Sequence, residues 1–260
     1  MKRRRPQPED FTIGWICPLP LEYAAAKRAL DEPYDEAEYG TGQTGTNAAA
    51  AATQKMLSAF PPIKHGLLVG IVGGVPSDKA DIRLGDVVVG QPDGQHGGVV
   101  QYDFGKTVLG GFQRTGALNA PSHSLLTAVS KFKSNLPAIG DTLRAIPVDR
   151  PLKTDDILFM ASYDHGRGDT CSIFFGTIAS RNQVVKYGNI RDEHNAELGG
   201  VLCFEMEAAG VVNILPCLVN KLFQAFAAAA AATCARKILL FLPRPSGLSL
   251  ARTRSRESLK

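Results

Sequence analysis

The chain has 260 residues, 44% hydrophobic and 21% charged, enough for one large α/β domain or two small ones and ordinary for a soluble globular protein. Its formal charge of +4 sits in two clusters, Lys2, Arg3, Arg4 and Arg5 at one end and Arg244, Arg252, Arg254, Arg256 and Lys260 at the other. Without them the body is acidic, and it lacks the basic stripe with interleaved aromatics that nucleic-acid binding requires; no run of about 18 apolar residues suggests a membrane span, and no signal peptide is expected behind the basic N-terminus.

Residues 1–10 and 241–260 read as basic, disordered tails around a body at 11–240. Residues 11–17 are a β-rich first strand, and Pro18-Leu19-Pro20 turns the chain into a helix over 21–30 with Glu22 in its first turn. An acidic stretch without period follows to Tyr39. Thr46 is placed to cap a helix that runs to about Phe60 and stops at Pro61-Pro62. Residues 66–72 form a continuous apolar run, a strand buried on both faces, then a tight turn at Gly73-Gly74-Val75-Pro76. Residues 86–90 and 98–104 are further strands, and 121–132 is helical. Residues 133–155 are rich in Pro, Asn, Gly and Asp and read as a loop. Then come a strand over 173–179, a helix over 183–198 interrupted at Gly188, a strand over 201–204 and a helix over 205–213. A short strand at 216–219 and a helix over 221–240 complete the body. Buried apolar strands alternating with helices imply an α/β fold with a mostly parallel sheet covered on both faces.

The most informative stretch is Cys203-Phe-Glu-Met-Glu-Ala-Ala-Gly210. Two carboxylates two residues apart at the carboxyl end of a strand point to one side, and that end is where open α/β sheets bind ligands. A carboxylate there can accept hydrogen bonds from two vicinal hydroxyls, and Met offers a soft apolar surface to a sugar face. A second reading stands beside this one: acidic residues at a helix N-terminus that suit its dipole.

Other patterns fail on context. Gly40-x-Gly42-x-x-Gly45 matches a dinucleotide fingerprint but follows an acidic segment instead of a buried strand; its glycines still allow backbone N–H groups to approach a ligand. Gly105-Lys106-Thr107 lacks the glycine a phosphate loop needs. Asp164, His165, Asp169 and Cys171 lack the second His or Cys of a zinc site, so no metal is expected. His96, His123 and His194 pair with no nucleophile in sequence. The five cysteines (17, 171, 203, 217 and 234) are odd in number and scattered, implying reduced thiols in a cytoplasmic or nuclear setting.

Taken together, Ile13-Gly-Trp-Ile-Cys-Pro-Leu-Pro-Leu-Glu22, Leu68-Val-Gly-Ile-Val-Gly-Gly-Val-Pro76, Asp81-Ile-Arg-Leu-Gly-Asp-Val-Val-Val89, Gly97-Gly-Val-Val-Gln-Tyr-Asp-Phe-Gly-Lys106, Ile178-Ala-Ser-Arg-Asn-Gln-Val184 and Leu202-Cys-Phe-Glu-Met-Glu-Ala-Ala-Gly210 resemble the nucleoside phosphorylase and nucleosidase superfamily, in its fungal form, over residues 11 to 219. The resemblance implies a three-layer αβα sandwich around a mixed, mostly parallel twisted sheet. It implies cleavage of the N-glycosidic bond of a purine nucleoside, with phosphate or water as co-substrate and no cofactor. Glu207 matches the carboxylate that holds the ribose hydroxyls, and Met206 the residue packed on the sugar. Glu22 lies where the hydrolytic branch places a glutamate near the attacking water. Gly73 lies in the loop lining the ribose, and Val184 and Val185 fall where the base stacks. The family commonly oligomerises, so the resemblance allows a homo-oligomer.

Ile71 stands where the phosphorylases carry a hydroxyl, and Glu22 where they carry an arginine, which points to a hydrolase-like branch. The departures point to impaired chemistry. After the Pro-Cys-Leu-Val strand the family continues Arg-Gly-Ile-Cys-Asp-Tyr-Ala-Asp, and the first Asp is the general acid for the leaving base. Here Val219 runs on to Asn220-Lys221 and no Asp matches. Residues 31–42 replace a strand hairpin of the family, and Val72 and Arg181 stand where it carries glycines. These gaps resemble a skipped segment or a shifted reading frame, and they predict weak or absent cleavage, with a nucleoside- or partner-sensing module as the alternative.

Overall fold

The computed structural model describes residues 7–30, 43–77, 79–83, 85–136, 171–222 and 225–243. The acidic stretch at 31–42 with Gly40 and Gly42, most of 133–155, Asp164, His165, Asp169 and most of both basic tails lie outside the described residues. Within the N-terminal tail, expected to be disordered, Pro8–Asp10 form a 3-10 turn in which the Asp10 carboxylate accepts the Gln7 N–H at 2.8 Å.

A five-stranded sheet is the centre of the fold. It contains β1 (Ile13–Ile16), β2 (His65–Ile71), β4 (Val87–Gly90), β8 (Ile173–Gly176) and β11 (Cys217–Leu222), in the order β1-β2-β11-β4-β8. Every neighbouring pair is parallel except β11 with β4. A second sheet of β3 (Gly73–Gly74), β10 (Cys203–Glu205), β9 (Ile178–Ser180) and β5 (Val99–Gln101) is parallel except for β3. A hairpin of β6 (Gly105–Val108) and β7 (Gly111–Arg114) projects separately; its short strands carry no apolar alternation and were not foreseen in the sequence.

Six α-helices are described: α1 (Pro20–Ala29), α2 (Thr46–Ala59), α3 (His123–Ser134), α4 (Gly188–Glu197), α5 (Ala208–Val211) and α6 (Ala225–Leu239). The period of two along the central strands sorts the core between two layers. Leu67, Val69, Val87, Val89 and Leu218 pack with Leu125, Val129 and Phe132 of α3 and the alanines of α6. Leu68, Val88, Cys217 and Val219 face the other way, against α2, α5 and the inner face of the second sheet. The fold is therefore α/β, with mixed, mostly parallel sheets and helices on both faces of the central one.

Several boundaries differ from the sequence expectation for identifiable reasons. Residue 45, not 46, caps α2: Gly45 has φ +108°, a left-handed conformation that suits only glycine, and Thr46 is already helical. The strand expected over 173–179 breaks at Thr177, whose hydroxyl bonds Asp93, and its halves join different sheets. The helix expected over 205–213 shrinks to α5 because Glu205 remains paired with Ser180 in the second sheet. The strand of 98–104 shortens to β5. The largest correction is at 216–222. Residues 221 and 222 do not begin a helix; β11 stays in register with β2 through Leu222, and α6 starts at Ala225.

Candidate functional site

The site is built where β10 ends. Ser180 of β9 and Glu205 of β10 are register partners, and Glu205 turns its carboxylate onto the first N–H groups of α5. It accepts from Glu207 N at 3.1 Å and from Ala208 N at 3.0 Å. Ser180 Oγ accepts the next one, from Ala209 N at 2.9 Å. The first acid of the Glu-Met-Glu triplet is therefore a helix-start carboxylate, as the helix-dipole reading proposed. Glu207 caps α5 with its backbone and sends its side chain elsewhere.

That side chain meets Lys221. Lys221 Nζ donates to Glu207 Oε2 at 3.0 Å and lies 3.3 Å from Glu205 Oε2. Lys221 has 0% of its surface exposed, and Glu205 and Glu207 have 5% each. The other Glu207 oxygen accepts the N–H of Gly45, at a longer 3.4 Å, where α2 begins. Thr46 N, beside it, donates to Asn182 Oδ1 at 3.2 Å. Two N–H groups at the α2 N-terminus are thus satisfied by side chains from the neighbouring loops.

Glu22 completes the cluster from the other side. In the first turn of α1, it accepts from Leu19 N at 2.8 Å and from Ile71 N, at the end of β2, at 2.6 Å. A glycine makes this approach possible. A Cβ on Gly70 would fall 2.5 Å from Glu22 Oε1 and 3.1 Å from Lys221 Nζ, so any larger residue there would evict one of them.

Burial and neighbouring charges shift Glu22, Glu205 and Lys221. Burial pushes Glu22 above the ordinary glutamate range, against the pull of Lys221 and of its two backbone donors. Burial raises Glu205 in the same way, again opposed by Lys221. For Lys221 burial works downward, but Glu207, Glu205 and Glu22 outweigh it and raise the ammonium above the usual lysine range. Burial, with the Glu22 charge second, pushes the nearby Cys17 thiol up to about 12.

The other expected positions are spread around this cluster. Gly73 pairs with Phe204 across β3 and β10, with open space where a side chain would stand. Met206 is half-buried at the bend between Glu205 and Glu207. Val184 points outward, 56% exposed, whereas Val185 packs against the cluster of Val75, Tyr102, Leu198 and Phe204 behind the second sheet. Arg181, where the family carries glycine, folds back over the Tyr102 ring and places Nη1 3.2 Å from His194 Nε2. Among the described residues no group of three or more His, Cys, Asp or Glu side chains is arranged for a metal ion, all five thiols are free, and no helix is long and apolar enough to cross a membrane.

Lys221 is the residue that sequence reasoning missed, because the alanine-rich run after it pulled the helix boundary forward. A signal was present: Cys217, Val219 and Lys221 alternate on one face of the strand, and a lysine continuing such a face needs a buried acid opposite it.

No family model matches this sequence. It is similar to a nucleotide-binding leucine-rich repeat (NLR)-like protein of Hyaloscypha variabilis, 37% identical over 309 residues, an alignment that takes in 94% of this chain. The chain spans 31% of that relative's length. Its fold is similar to that of a Helicobacter pylori 5'-methylthioadenosine/S-adenosylhomocysteine nucleosidase mutant with 5'-methylthioadenosine in its active site, with TM-score 0.62, 17% identity, and 89% of this chain and 99% of that one covered. A Colwellia psychrerythraea nucleosidase of the same kind, in complex with adenine, gives TM-score 0.62 at 18% identity over 89% and 95% of the two chains. A futalosine hydrolase mutant of H. pylori gives 0.58 at 17% over 88% and 96%. The chain has the fold of the nucleoside phosphorylase and nucleosidase superfamily.

Proposed function

We propose that this chain is a purine-nucleoside-recognition domain on a nucleosidase scaffold, in which Glu207 takes the ribose hydroxyls, Met206 packs on the sugar and cleavage of the N-glycosidic bond is impaired. The observation that carries the reading is the placement of Glu207. It lies just past the carboxyl end of a sheet strand, buried, and held by Lys221 in one cluster with Glu22. A carboxylate so fixed is preorganised for a diol, and a glutamate of raised pKa beside it suits proton abstraction from water.

The impairment follows from what the leaving base would need. No Asp or Glu occurs between Glu207 and Glu257, and only residues 223–224 separate β11 from α6. The segment in which the family carries its general acid therefore holds no acid, and such assistance typically contributes about 10²–10⁴-fold. The stretch aligned with the NLR-like relative, 309 residues, is longer than this 260-residue chain, which supports the reading that segments have been lost. Water is the favoured co-substrate of any residual reaction, since Glu22 would repel phosphate.

A second reading, a nucleoside sensor without turnover, is favoured by the relative's name and by the same lack of an acid. Calorimetry with adenosine, inosine and 5'-methylthioadenosine, run beside a purine-release assay with and without phosphate, separates the two. Binding with slow phosphate-independent release supports the impaired hydrolase, and binding without release supports the sensor. Rapid turnover that depends strictly on phosphate contradicts both.

A further inference from the structure

We propose that Asn182 is a positioning residue of the ribose site: it ties the N-terminus of α2 to the loop after β9 and so holds the Gly45 N–H on Glu207. This rests on the reading of Glu207 as the ribose carboxylate.

Gly45 stands at the cap of α2 and has no side chain with which to accept the first N–H groups of the helix. Asn182 supplies the missing acceptor from a distant part of the chain. Its Oδ1 accepts the N–H of Thr46 at 3.2 Å, and the neighbouring amide, Gly45 N, donates to Glu207 Oε1 at 3.4 Å. The two amides are joined through one α-carbon, so fixing one restricts the direction of the other. The loop that carries Asn182 is itself anchored. Asn182 N donates to Asp103 Oδ2 at 3.2 Å, and Asp103 Oδ1 accepts from Gln101 Nε2 at 2.9 Å. Gln101 ends β5 and is the register partner of Ser180 on β9. The contacts therefore run without a break from the second sheet to Glu207.

Two glycines set how closely these parts approach. A Cβ on Gly45 would fall 2.3 Å from Asn182 Oδ1, and one on Gly210 would fall 1.9 Å from the Thr46 carbonyl oxygen. The first turn of α2 is thus gripped between the Asn182 loop and α5. The bond from Gly45 to Glu207 is already long, so a small shift of α2 breaks it. Among the described residues, Glu207 would then keep a donor on Oε2 alone, from Lys221. Its carboxylate plane would be free to turn away from a diol, and the preorganisation would be lost. Asn182 acts on the sugar only through Gly45.

Asn182→Ala removes the acceptor for Thr46 N, and Asn182→Asp keeps one. Affinities for adenosine and 2',3'-dideoxyadenosine are measured by calorimetry on the wild type and both variants, with the thermal midpoint of each as a check on folding. Asn182→Ala is expected to bind adenosine about three- to tenfold more weakly, the share of one hydrogen bond, with its affinity for the dideoxy compound unchanged. Asn182→Asp is expected to recover the wild-type preference. Loss of affinity for both compounds alike marks a merely structural role and overturns the proposal. An undiminished preference for adenosine in Asn182→Ala, or an Asn182→Asp protein that behaves like the alanine variant, also overturns it and leaves the reading of Glu207 standing. Equal affinity of the wild type for the two compounds, or binding of neither, removes the reading of Glu207 and the proposal with it. Should Asn182→Ala not fold, Asn182→Gln, which displaces the oxygen by one methylene, takes its place with the same expectation.

Discussion

Lys221 Nζ and Glu207 Oε2 lie 3.0 Å apart, and the lysine side chain is wholly buried. A pair so dry is stabilising only as a pair. Lys221→Ala is expected to cost about 3–5 kcal/mol in urea unfolding, because it strands Glu205 and Glu207 without a counter-ion. A cost below about 1 kcal/mol, the range of exposed pairs, would mean that water reaches the cluster.

Two glycines of the site differ in what they tolerate. A Cβ on Gly210 would fall 1.9 Å from the Thr46 carbonyl oxygen, so Gly210→Ala must push α5 away from α2 and with it the cap on Glu207. A loss of about 2–3 kcal/mol is expected. Gly73→Ala meets open space and should leave stability within about 0.5 kcal/mol of the wild type. If Gly73 lines the ribose site, the same substitution weakens adenosine binding while the unfolding midpoint stays put.

The raised pKa of Glu22 has a sign in the pH dependence. Its folded value lies above its unfolded one because burial disfavours the charge. Its contribution to stability is therefore complete below the ordinary glutamate value of about 4.3 and is lost as pH rises through the raised folded value. Glu22→Gln removes this dependence, so the difference in unfolding free energy between wild type and variant should shift in the variant's favour from pH 4 to pH 8. A difference that does not change with pH contradicts the burial of a titrating Glu22.

Cys17 gives a local readout of the same charge. With its thiol pushed up to about 12 by burial and then by Glu22, alkylation by iodoacetamide at pH 8 should be slow, and faster in Glu22→Gln. Equal rates would place the Glu22 charge too far away to matter.

Val184 and Val185 separate stacking from packing. Val185→Ala is expected to cost about 1 kcal/mol, since it removes contacts with the Val75 and Phe204 cluster. Val184→Ser touches nothing in the protein core and should change only base affinity. A destabilised Val184→Ser protein would put that side chain in the core instead.

Much of this fold was legible because short continuous apolar runs bounded by turn residues are a strong local signal. Residues 65–71 and 87–90 declared themselves as central strands, and α1 and α3 came within a few residues of their ends. The Glu-Met-Glu triplet stood out in the sequence, and its two acids take different places in the fold. Glu205 caps a helix and Glu207 reaches the ammonium. Lys221 was not legible because its placement depends on pairing with β2, a strand about 150 residues earlier, and no local propensity reports that. The break at Thr177 was equally hidden, since a single Thr in the apolar run from Ile173 to Ala179 does not mark a strand end, while its halves serve different sheets.

The claim that Glu207 holds a ribose is tested most directly by comparing adenosine with 2',3'-dideoxyadenosine in calorimetry, on the wild type and on Glu207→Gln. Two hydroxyls bonded to a carboxylate should make adenosine at least about tenfold the tighter ligand in the wild type, and the preference should vanish in Glu207→Gln. Equal affinity of the wild type for the two compounds would contradict the assignment.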